Sequence, residues 1–166
     1  MSYDINLQPD AGGLRIGIAV SRYHAWATDR LLAGAVDRFR LLGGDDDLLV
    51  VASASGAWEL TGVARAFCER GDFDGVVALG VVIQGETPHF SYICDGVTQG
   101  LTALTLQYGL PIGFGVLTCN TREEVEARCG GANGGGAIGN KGADAMRAVV
   151  ESVNAIRGIQ HFKAAE

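Results

Sequence analysis

His89 stands in Gly85-Glu86-Thr87-Pro88-His89, a polar corner between an apolar run and a stretch patterned as a helix. An imidazole titrates near neutral pH, so a histidine on a strand-to-helix loop can move protons during a reaction. Gly85, Glu86 and Thr87 bring backbone N–H groups just ahead of a helix start. Such a corner suits an anion, because unpaired amides and the helix dipole act together. The same residues fit an ordinary turn with Pro88 ahead of the first helical turn. A second candidate is Gly56-Ala57-Trp58-Glu59, where an aromatic beside a carboxylate can hold a planar heterocycle and its hydroxylated substituent. Trp58 equally fits a plug over the end of a sheet.

Other arrangements carry less. Gly134, Gly136 and Gly139 match G-x-G-x-x-G, but their loop follows a helix and not a strand, so the dinucleotide fingerprint fails. A phosphate-binding Walker loop needs Gly-Lys-Ser/Thr, and the order here is Gly139-Asn140-Lys141-Gly142. Cys68, Cys94, Cys119 and Cys129 show no C-x-x-C spacing and have no histidine or basic cluster beside them. They read as reduced thiols, with neither a disulfide framework nor a zinc site. No Ser/His/Asp arrangement or metal-ligand spacing stands out.

The elements that must position these residues follow from hydrophobic patterning. Short apolar runs over 14–21, 47–54, 74–83 and 112–118 predict buried strands. Helices are predicted over about 28–42, 57–69, 90–108, 121–128 and 141–157. Leu31, Leu32, Ala35, Val36, Phe39 and Leu42 form the apolar stripe of the first, and Ala145, Met146, Val149, Val150, Val153 and Ile156 that of the last. Strands alternate with helices and none alternates apolar with polar residues. The expected fold is therefore α/β, a three-layer sandwich with a four-stranded parallel sheet flanked by helices on both faces. Ligands of such sheets bind beyond the carboxyl ends of the strands. That rule selects the segments beginning at Ser21, Ser55, Gln84 and Thr118, which hold Tyr23, His24, Trp26, Trp58 and His89 between them. The expected organisation is an arm over 1–13, one domain over 14–158 and a tail over 159–166.

At 166 residues and 48% hydrophobic, one domain has enough apolar surface for a sizeable core. A net charge of −6 without a basic cluster argues against nucleic acid and anionic membranes as partners. No apolar run reaches the roughly 18 residues that span a bilayer, and the first twenty residues lack a secretory pattern. The expected location is the cytoplasm.

Four strings in order resemble the lumazine synthase family: "GLRIGIAVSRY", "GAWEL", "GETPHFSY", and "PIGFGVLTCNTREEVEAR" followed by "GNKG". The resemblance spans about 13–157. It implies condensation of 5-amino-6-(D-ribitylamino)uracil with 3,4-dihydroxy-2-butanone 4-phosphate, releasing phosphate and water, with no cofactor and no metal. It further implies that Tyr23 stacks on the pyrimidine beside His24, that Gly56, Ala57, Trp58 and Glu59 hold the ribityl chain, and that Val82 and Ile83 touch the heterocycle. Glu86 and Thr87 match the phosphate corner and His89 the proton-transfer residue. Phe114, Arg128 and Lys141 match groups that an adjacent subunit lends to the same pocket. The family works as homo-oligomers, and the resemblance implies a pentamer with shared sites and functional coupling to riboflavin synthase. Tyr23, Ser55 and Gln84 depart from the family's commoner residues, and the lengthened, glycine-loaded stretch from Arg128 to Asn140 predicts a free pentamer ahead of paired pentamers or a shell. Three rival readings are an archaeal-type riboflavin synthase relative, a non-catalytic lumazine- or flavin-binding protein, and a chiefly structural shell protein.

Overall fold

Four of the apolar segments pair as parallel strands: β1 (Ile16–Ser21), β2 (Leu49–Ala54), β3 (Gly75–Ile83) and β4 (Ile112–Cys119). The computed structural model describes residues 5, 7–130 and 139–162. Gly131, Gly134, Gly135 and Gly136 of the glycine-rich connector lie outside the described residues. The sheet order is β2-β1-β3-β4, with Ile16 opposite both Leu49 and Gly75, and Val76 opposite Ile112. The two central strands are covered on both faces: β1 is buried throughout and β3 over its first seven residues. The edge strands differ from the uniform burial expected. Val51 on β2 is exposed and Phe114 on β4 is 47% exposed, because neither strand has a neighbour on its outer side.

The helices are α1 (Ala25–Leu41), α2 (Leu60–Arg70), α3 (His89–Tyr108), α4 (Arg122–Arg128) and α5 (Lys141–Gln160). On one face of the sheet, Leu31 and Phe39 of α1, Val125 of α4, and Met146 and Val150 of α5 pack with Ile16, Ile18, Val77 and Leu79. On the other, Leu60 and Phe67 of α2 and Val97 and Leu101 of α3 pack with Ala19, Ala78 and Val116. Each large side chain buried this way contributes about 1.5–3 kcal/mol. The three-layer α/β sandwich read from the patterning is the observed fold.

The element ends shift in ways that matter to the site. α1 begins at Ala25, three residues ahead of the predicted start, so Ala25 and Trp26 are helical and the loop after β1 shrinks to Arg22–His24. Ala57–Glu59 form a turn before α2 where a helix was expected. His89 is the first residue of α3. Ile156 is 37% exposed and does not continue the buried stripe of α5; it borders an open cleft with Thr105, Gly109 and Ile112 beside the edge strand β4. Nearer its start, α5 approaches α1 closely: a Cβ at Gly34 would overlap the Asn140 side chain, and one at Gly142 would overlap the Leu31 carbonyl.

Candidate active site

The carboxyl ends of β1, β2 and β3 open into a cleft of about 870 Å³, lined by Tyr23, His24, Gly56, Ala57, Trp58, Glu59, Val81, Val82, Ile83, Gly85, Thr87, His89, Phe90, Tyr92 and Ile93. That volume is within the range of small-molecule sites.

Local hydrogen bonding sets its walls. Beyond the last sheet pair, Arg22 N donates to Ala54 O (2.8 Å) and Tyr23 N to Ser55 O (2.9 Å), which holds the β1–α1 and β2–α2 loops side by side. Glu59 closes its own turn, since Oε2 accepts from Gly56 N at 3.0 Å. Tyr23 is 67% exposed and Trp58 56% exposed, so both aromatics offer ring surface to a ligand, and Trp58 does not plug the sheet.

His24 caps α1 in the left-handed region, φ 63° and ψ 41°, where its carbonyl accepts from Ala27 N and Thr28 N. It is the one non-glycine residue with positive φ among the described residues. Such backbone costs about 1–3 kcal/mol and recurs at ligand sites. Its ring meets Tyr23 edge-on at 4.7 Å and Trp26 at 6.4 Å, and Arg122 of α4 lies 4.1 Å from the Trp26 ring centroid. Burial first, and the Arg122 cation second, lower the His24 pKa below its ordinary value. Both effects favour the uncharged imidazole.

His89 opens α3 after Pro88, at a helix start with no acidic residue in its first turn. The amides of Gly85, Thr87 and His89 make no hydrogen bond to a protein acceptor among the described residues. Thr87 lines the cleft, whereas Glu86 is exposed and does not line it.

Among the described residues, no lysine or arginine lines this cleft. Arg128 and Lys141 stand with Phe114, Cys119 and Asp144 in a separate cleft of about 420 Å³ on the outer side of β4. There Arg128 Nη1 donates to Glu124 O (2.9 Å) and Lys141 Nζ pairs with Asp144 Oδ2 (2.8 Å). Of the fourteen residues that the family resemblance assigns to the site, ten meet in the first cleft, three in the second, and Glu86 in neither. Thiol chemistry is disfavoured, since burial pushes Cys68, Cys94 and Cys119 up. Among the described residues, no cluster of His, Cys, Asp and Glu has the makings of a metal site.

The sequence reading missed Val81, Phe90, Tyr92 and Ile93 as lining residues, whereas Gly85 of the expected anion corner does line the cleft. For Tyr92 and Ile93 a signal existed. Once α3 starts at His89, positions three and four residues on share its face.

The chain matches the family described as 6,7-dimethyl-8-ribityllumazine synthase over residues 13–157. It is 41% identical over 152 residues to the 6,7-dimethyl-8-ribityllumazine synthase of Parabacteroides distasonis, covering 92% of each chain. It is 45% identical over 149 residues to that of Thermus thermophilus, covering 90% of this chain and 92% of the relative. The chain belongs to the 6,7-dimethyl-8-ribityllumazine synthase family. Residues of both clefts fall within the matched span, so the aromatic cleft and the cationic cleft are both carried by the family's own portion of the chain.

Proposed function

We propose that the chain condenses 5-amino-6-(D-ribitylamino)uracil with 3,4-dihydroxy-2-butanone 4-phosphate to 6,7-dimethyl-8-ribityllumazine, releasing phosphate and water, in riboflavin biosynthesis. Membership of the family supports the reaction. The observation that carries the site is the division of labour between the two clefts. Among the described residues, one holds aromatic walls, open amides and His89 but no lysine or arginine, and the other holds Arg128 and Lys141.

The pyrimidine ring stacks on Tyr23, beside His24 and against Val82 and Ile83, with its ribityl chain along Gly56–Glu59. The Glu59 carboxylate already accepts from Gly56 N and has lone pairs left for a hydroxyl. The phosphate of the second substrate sits against the amides of Gly85 and Thr87 at the start of α3, where N–H groups and the helix dipole favour an anion. Glu86 contributes through its backbone at that corner, its side chain being turned to solvent. The amine then attacks the ketone carbonyl and forms an imine. His89 takes the proton from nitrogen, gives it to the departing water, and assists the loss of phosphate. No protein nucleophile is needed, so the buried thiols stay out of the reaction. Most of the acceleration comes from holding two substrates in register, worth up to ~7–11 kcal/mol in the best-oriented cases.

A phosphate dianion needs a cation that the first cleft does not supply. Arg128 and Lys141, with the exposed Phe114, reach it from a neighbouring copy in a ring of five, so each interface makes one site. An isolated subunit would hold half a site and leave Phe114 and Trp58 wet. No described helix is long and apolar enough to cross a membrane, and free thiols at Cys68, Cys94, Cys119 and Cys129 fit action in the cytoplasm, upstream of riboflavin synthase. The test is to mix the two substrates with the protein and follow lumazine absorbance together with free phosphate. Stoichiometric appearance of both is expected. Consumption of lumazine supplied alone would favour a riboflavin synthase-like activity, and ring binding without phosphate release a carrier.

A further inference from the structure

Tryptophan is the largest side chain, and Trp58 has to fit between the cleft and the surface of α3. The room comes from one residue. A Cβ built on Gly96 would overlap Cζ3 of Trp58 and stand 3.0 Å from Cη2 and 3.1 Å from Cε3. All three atoms belong to the outer ring of the indole. Gly96 lies seven residues after His89, four after Tyr92 and three after Ile93, so these residues share one stripe of α3. The first part of that stripe lines the cleft, and the stripe then drops to a bare backbone where the indole rests. Glycine is disfavoured inside a helix, so its presence in the middle of α3 asks for a packing reason.

Gly100, one turn further on, has a different neighbour. A Cβ there would crowd the Thr61 side chain on α2, which is ordinary close approach of two packed helices. Trp58 instead sits on a turn and is 56% exposed. Its ring has space to swing, so a methyl group at position 96 would move the ring rather than unfold the helix.

We propose that Gly96 is a positioning residue that fixes Trp58 against α3 and thereby sets the shape of the cleft wall that receives the ribityl-bearing pyrimidine. The inference rests on the reading of this cleft as the substrate site. It assigns to an otherwise silent helical glycine a share in substrate specificity: the pair Trp58–Gly96 acts as one unit, a large ring and the gap that seats it.

The test compares Gly96→Ala, Trp58→Phe, the double variant and Gly62→Ala. Gly62 is a helical glycine of α2 whose added Cβ would meet nothing within 4 Å, so it controls for the general effect of glycine replacement. Gly96→Ala is expected to raise KM for the pyrimidine on the order of tenfold, within the range that small misplacements cost, with a smaller change in kcat and in KM for the phosphate substrate. Its tryptophan emission without substrate should shift as the indole leaves α3. A phenyl ring lacks the outer indole atoms, so in the Trp58→Phe background Gly96→Ala should cost less than twofold. Gly62→Ala should match the parent in both assays. Overturning results are a Gly96→Ala variant indistinguishable from Gly62→Ala, or an equal loss with and without Trp58. The emission shift needs no turnover, so an absence of lumazine formation by the parent protein would count against the functional reading alone.

Discussion

Asn140, the residue before Lys141 of the cationic cleft, should be costly to replace. It is 3% exposed and its side chain makes four hydrogen bonds. Nδ2 donates to Arg30 O (2.8 Å) and Cys129 O (3.2 Å), and Oδ1 accepts from Gly142 N (2.9 Å) and Ala143 N (3.2 Å). One side chain thus caps α5, ties it to α1, and pins the residue after Arg128, with Lys141 immediately following. Asn140→Ala removes an N-cap, worth about 1 kcal/mol. It also strips donors from two carbonyls, at roughly 1–3 kcal/mol for each one left buried and unsatisfied. The total is about 3–7 kcal/mol. Asn140→Asp keeps the cap acceptor but replaces the donor with an anion facing the same two carbonyls, so it should be no milder. Urea unfolding at fixed protein concentration reads the stability, and KM for the butanone phosphate reads the displacement of Arg128 and Lys141. A loss below about 1 kcal/mol, the size of a cap alone, would refute the idea that Asn140 joins three elements. So would an Asp variant as stable as the parent.

Three further outcomes are expected. His89→Ala should lower turnover by roughly 10- to 10⁴-fold, nearer the lower end because imine formation has an uncatalysed background, and should leave the fold intact; turnover within twofold of the parent rules out the proton shuttle. Arg128→Ala should raise KM for the butanone phosphate by about 10- to 100-fold, the value of a hydrogen bond to a charged group, and change KM for the pyrimidine far less; equal effects would make Arg128 merely structural. His24 is held below its ordinary pKa of 6.5 by burial and by Arg122, so the unfolded chain binds the extra proton first. Its contribution to stability is present above pH 6.5 and lost as pH falls from there through the lowered folded value. The parent should therefore lose more Tm between pH 7.5 and 5.5 than His24→Asn does, and equal losses would contradict the assignment.

Patterning made the sheet and its helices legible because β1 and β3 are buried on both faces and read as unbroken apolar runs. The edge strands were less so: nothing in "LVVASA" tells that Val51 faces outwards. The corner at His89 and the turn at Trp58 were visible because strand ends in such folds gather ligands, and the family resemblance then supplied their roles. Local sequence was blind to three things. The left-handed His24 sits between the Tyr23–Ser55 loop pairing and the Trp26–Arg122 stack, both made with distant segments. The work of Asn140 depends on contacts to Arg30, more than a hundred residues away in the chain. The use of Gly96 depends on which side chain lies opposite it. Each of these is a tertiary contact between elements, and neither periodicity nor turn chemistry encodes it.

The central claim is that one site is assembled from the His89 cleft of one subunit and the Arg128 cleft of its neighbour. Co-expression of differently tagged His89→Ala and Arg128→Ala chains, followed by purification of rings holding both, tests it directly. Each parent variant is crippled alone. If sites form across a heterologous ring interface, random mixing leaves about a quarter of interfaces with both groups intact, and the mixed rings should recover roughly that share of parental lumazine formation. Mixed rings no more active than the average of the two variants would show that each chain builds its site alone.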